Sequence, residues 1–139
     1  MVYRWFLGLV WVCAFALFGL HVVNLAALWG AIGAEPGGPI FPRDASRTGN
    51  PLSGALSAVG LAATVPAFVF GALAWSHPRL CRGASLAVSI AAISVAGFER
   101  IAPRQPLLGM VLSAISLFAA VGLCASSFVL RRNEHKTEP

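Results

Sequence analysis

From Trp5 to Gly33 the chain carries no Asp, Glu, Lys or Arg, and three further stretches, Leu52 to Ser76, Leu80 to Ile101 and Leu107 to Leu130, are nearly as free of charge. Crossing ~30 Å of hydrocarbon takes about 20 apolar residues in a helix, because lipid offers no partner for an open backbone N–H or C=O. Each stretch meets that length. The sequence therefore predicts an all-α polytopic membrane protein: one domain over residues 1–139, with four transmembrane helices in an antiparallel bundle. The spans fall at about 5–33, 52–76, 80–101 and 107–130, with an outer loop at 34–51 and a tail at 131–139.

Composition agrees. Hydrophobic residues make up 58% and charged residues 11% of the chain, with a mean hydropathy of +0.78; soluble domains average about 45–50% and about 25%. A net charge of +5 raises the question of nucleic acid. The Lys and Arg residues, however, stand singly or in pairs beside apolar runs and form no basic stripe, so they read as topology signals and nucleic acid is not an expected partner. The three cysteines, Cys13, Cys81 and Cys124, have neither CxxC nor zinc spacing and read as small hydrophobes.

Turn chemistry marks the span boundaries. Asn50-Pro51 opens the second helix, Ser76-His77-Pro78 closes it, Pro103 and Pro106 bracket the next turn, and Arg131-Arg132 is expected to end the fourth helix. Between Arg82 and Glu99 the third span has only about 24 Å of uncharged helix at ~1.5 Å per residue, so either these two side chains snorkel or the span extends past them. Six of the ten Lys and Arg (Arg4, Arg79, Arg82, Arg131, Arg132, Lys136) fall on one side, and Arg43, Arg47, Arg100 and Arg104 on the other. The majority side is expected to be cytoplasmic, which places both termini there in a multi-pass protein of the cell membrane. Trp5, Trp29 and Trp75 fall near span ends, as interfacial tryptophans do. Cleavage of the first helix as a signal peptide is the competing reading, but its apolar run far exceeds an h-region of about 7–15 residues.

The outer loop, AEPGGPIFPRDASRTGNP, is too rich in Pro and Gly for regular structure. Its Ile40, Phe41, Arg43 and Asp44 form a candidate docking element beside the simpler reading of a connector. Small residues recur at helical spacing in the last three helices: Gly54, Ala58 and Ala62; Ala63, Ala67 and Gly71; Ser85, Ser89 and Ala92; Ser113, Ser116, Ala120 and Cys124. Such residues let helix backbones approach closely in a membrane, so a tight bundle with surface left for a neighbour is expected. Pro66 predicts a kink in the second helix. The bulky first helix, with Trp5, Phe6, Trp11, Phe15 and Phe18, suits the bundle edge.

His21 and Asn24, three residues apart in the first span, are the polar feature most in need of explanation. They share a helical face and are expected in the outer half of the membrane, where Glu99 and Arg100 end the third helix. A polar intramembrane cluster of His21, Asn24, Glu99 and Arg100 is the candidate site, with Glu99 and Asp44 as possible partners of the imidazole. The plainer reading is interhelical hydrogen bonding to serines such as Ser89, Ser94 or Ser113. The chain has no paired intramembrane aspartates, haem-ligating histidine pair, phosphate loop or nucleophile elbow, and no cofactor or metal is expected.

The leading functional reading is a non-catalytic accessory or assembly subunit of a larger membrane complex, or a homo-oligomer. The alternatives are a small transporter or channel with a polar path at His21, Asn24 and Glu99, and a small enzyme of the outer leaflet.

Overall fold

The structure, a computed structural model, describes residues 2–28, 51–101 and 106–137. They form α1 (Val2–Leu28), α2 (Pro51–Ala74), α3 (Cys81–Ile101) and α4 (Pro106–Thr137), with a single 3₁₀ turn at Pro78–Leu80. All four α-helices are long and apolar enough to cross a membrane, and no strand occurs among the described residues. The proline signals place three boundaries well. α2 opens on Pro51 and α4 on Pro106, and α2 closes with His77 N–H donating to Leu73 O at 2.8 Å and Leu80 N–H donating to His77 O at 2.9 Å.

One boundary differs. α4 does not stop at Arg131-Arg132 but continues to Thr137. A pair of arginines marks where the hydrocarbon ends, while a helix ends only where the backbone is broken. No Gly or Pro lies between Arg131 and Thr137, and straight-chain polar residues are good helix formers in water.

Each helix packs on its sequence neighbours, α4 packs back on α1, and α3 also meets α1 across the bundle. α3 is accordingly the central helix: half of its membrane-length apolar window is buried, against a third in each of the others. Its buried face is built from Ala84, Ser85, Ala87, Ala91 and Ala92, and such small side chains bring three neighbours close to one backbone.

The buried seams step alternately by three and four residues. On α1 they are Leu7, Val10, Ala14, Leu17, His21 and Asn24; on α2 Ser53, Ser57, Gly60, Thr64, Ala67, Gly71 and Ala74; on α4 Gly109, Ser113, Ser116, Ala120, Leu123 and Ser127. This alternation is the spacing of coiled-coil-like helix packing. α1 is thus a full member of the bundle, although Trp5, Phe15 and Phe18 do lie outside.

Large side chains enter gaps over glycines of the facing helix. Trp11 fills the space over Gly71, Phe6 that over Gly122, and Phe70 that over Gly83. Between α1 and α2 the ring of Phe68 meets Trp11, Phe15 and Phe18 at centroid distances of 5.7, 4.7 and 6.2 Å, the range of favourable edge contacts. The outside carries Val12, Val65, Leu86, Ile93, Phe118 and Val121, an apolar surface suited to acyl chains rather than water.

Candidate functional site

His21 and Asn24 occupy the last two seam positions of α1, and both are buried, at 0% and 2% exposure. Seam spacing forces them inward: a helix that buries Leu7, Val10, Ala14 and Leu17 must bury the next two positions of the same series. Beneath His21, α2 presents Gly60. An added Cβ there would overlap the imidazole ring, so the absence of a side chain at 60 is what admits the ring.

The imidazole Nε2 lies 3.2 Å from Ala91 O on α3. A carbonyl only accepts, so Nε2 carries the proton and Nδ1 is left as an acceptor. The neighbouring carbonyl, Ala92 O, accepts from Ser113 Oγ of α4 at 2.9 Å. Successive carbonyls of the central helix therefore tie it to α1 on one side and to α4 on the other, and with Gly60 of α2 all four helices meet at one level. Other buried hydroxyls turn back on their own helices: Thr64 donates to Leu61 O, Ser94 to Ile90 O and Ser116 to Leu112 O. This habit lets Ser and Thr lie within membrane helices at little cost.

Among the described residues, three buried side-chain atoms on α1 and α2 toward this end have no hydrogen-bond partner: His21 Nδ1, Asn24 Nδ2 and Ser57 Oγ. The antiparallel register set by Trp11 on Gly71 and by His21 on Gly60 continues three residues onward to Asn24 opposite Ser57. Two other buried polar atoms without partners, Trp11 Nε1 and Ser85 Oγ, stand apart from this group.

Glu99 is buried too, at 4% exposure, with its Cγ pressed on Gly109 of α4, where an added Cβ would lie 2.6 Å away. It does not snorkel outward, whereas Arg82 and Arg100 are exposed. Nor does it hold the histidine, since Nε2 is engaged by Ala91 and Nδ1 has no partner. The reason is longitudinal. α1 and α3 run in the same direction, and Glu99 lies eight residues beyond Ala91, about 12 Å at ~1.5 Å per residue.

His21 and Asn24 thus lie one turn apart on the buried seam of α1, and Glu99 and Arg100 lie further along the bundle on α3. Pro66 sits within α2, half-buried, and the helix continues through it. Ile40, Phe41, Arg43 and Asp44 lie outside the described residues, and among the described residues no group of His, Cys, Asp or Glu has metal-binding geometry.

Sequence reasoning missed Gly60 and Ser57. Both were legible in principle, because Ser53, Ser57, Gly60, Thr64, Ala67 and Gly71 alternate steps of four and three. Strict four-residue repeats such as Gly54, Ala58 and Ala62 drift around the helix, and Ala58 and Ala62 lie exposed on its outer side.

Buried polar residues gather at the end of the bundle where α1 and α3 finish. Among the described residues His21, Asn24, Ser53, Ser57, Ser94, Glu99 and Ser113 are there, whereas the opposite end buries mainly Leu7, Val10, Ala74, Ala84 and Leu123, with Ser85 and Ser127. No protein-family model, characterised protein or solved structure matches the chain.

Proposed function

We propose that this integral membrane protein is a non-catalytic accessory or assembly subunit, working through helix contacts with another membrane subunit or with further copies of itself. The observation that carries this reading is the outward set of glycines. Gly8 and Gly19 on α1 and Gly54 on α2 would meet nothing within 4 Å if given a Cβ, whereas the other described glycines are pressed by a side chain of a facing helix. A helical glycine costs about 1 kcal/mol relative to alanine, and at these three positions no packing among the described residues offsets it.

The α2 face supports the same reading. Gly54, Ala58 and Ala62 form a low ridge there, and Pro66, having no N–H, withholds the helical donor from the Ala62 carbonyl. A neighbouring helix can approach such a face closely and supply a donor to that oxygen. We further propose that both termini face the cytoplasm, on the majority of Lys and Arg at that end.

Purification in mild detergent tests the reading. The expected result is an assembly larger than the 14.5 kDa chain, by self-association or with a co-purifying subunit, which Ala58→Leu disperses without loss of helical content. Recovery of the wild-type chain as a monomer alone overturns it.

A further inference from the structure

We propose that His21, Asn24 and Ser57 form a binding site for one internal water molecule, held between α1 and α2 within the membrane. The three atoms without partners are a matched set. His21 Nδ1 is an acceptor because Nε2 donates to Ala91 O, Asn24 Nδ2 is a donor, and Ser57 Oγ can take either part. A water donates to Nδ1, accepts from Asn24 Nδ2–H, and makes its third bond with Ser57 Oγ. Roughly three bonds to otherwise unsatisfied groups is the usual coordination of a buried water.

The helix register supports the placement: with Trp11 over Gly71 and His21 over Gly60, an antiparallel pair brings Asn24 to the level of Ser57 one turn on. All three residues lie in the bundle seam, with Ser57 and His21 at 0% exposure, so neither lipid headgroups nor bulk water can satisfy them. Polar atoms enclosed in this medium without a partner are strongly disfavoured. The inference does not depend on the protein having a partner subunit.

Water-edited solid-state NMR of the full-length, nitrogen-15-labelled protein in lipid bilayers tests it. The backbone amides of Val10 and Ala14, buried in the same seam and bonded within α1, are the internal control. The expected result is transfer of water magnetisation to the His21 ring and the Asn24 side-chain amide that exceeds transfer to these two amides, with loss of the His21 signal in Asn24→Leu. Transfer to His21 no stronger than to Val10 and Ala14, or a direct hydrogen bond from Asn24 Nδ2 to His21 Nδ1, overturns the proposal. Both outcomes are read on the wild-type chain, so they hold even if the variant fails to fold.

Discussion

At the scale of single residues, the seat of His21 is decided by an atom that Gly60 lacks. Placing a methyl group there drives the imidazole off α2 and breaks its bond to Ala91 O. Overpacking costs about 1–3 kcal/mol and a lost interhelical bond about 0.6 kcal/mol, while Gly to Ala returns about 1 kcal/mol of helix propensity. Gly60→Ala is therefore expected to lower stability by about 2 kcal/mol, read from unfolding in mixed micelles. Gly19→Ala, whose Cβ meets nothing, is expected to raise it by up to ~1 kcal/mol. Equal effects at the two positions would refute the account of the seat. His21 and Asn24 stand out in the sequence because polar groups are rare in an apolar span. Gly60 does not, being one of 14 glycines, and only the packing shows which of them receive a side chain. The expected link from His21 to Glu99 failed for a comparable reason: it placed both residues near one membrane face without setting the level of α1 against that of α3.

At the scale of elements, turn chemistry transferred to the structure better than charge did. Pro51, Pro78 and Pro106 each sit at the start of a helical segment, since proline fixes φ and withholds an N–H that a first turn does not use. Arg131 and Arg132 misled because they report the medium rather than the backbone. The central position of α3 was not legible from its hydropathy, for its span is the least apolar of the four. Its buried alanines set its position, because only a helix with small residues on more than one side can take three close neighbours. Ala92 and Ile93 test this as adjacent positions on opposite sides, at 0% and 59% exposure. Ala92→Leu is expected to cost about 1–3 kcal/mol through overpacking against α4, with broadened NMR spectra. Ile93→Leu, facing the membrane, is expected to stay within about 0.5 kcal/mol. A large loss at Ile93 and none at Ala92 would remove α3 from the centre.

For the whole molecule, helix packing makes the threading a physical matter as well as a count of spans. The Arg4 guanidinium lies 6.0 Å from the ring centroid of Trp75, which holds the start of α1 beside the end of α2. The turn at Pro78–Leu80 then returns the chain into α3. This end also carries the exposed Arg79 and Arg82 and receives the last turns of α4. The start of α1, the end of α4 and the 75–80 turn therefore belong to one membrane face, and Leu28, Pro51, Ile101 and Pro106 to the other. A membrane-impermeant maleimide distinguishes the two faces. In a chain with its native cysteines replaced, His77→Cys is expected to label only when the cytoplasmic face is opened, in step with tags on the N- and C-termini, whereas Arg47→Cys labels on intact cells. If His77→Cys labels from outside together with both tags, the bundle is inverted and its packing stands. If the two tags report opposite faces, the four-span threading falls, and with it the level at which His21, Gly60, Ala91 and Ser113 were found to meet.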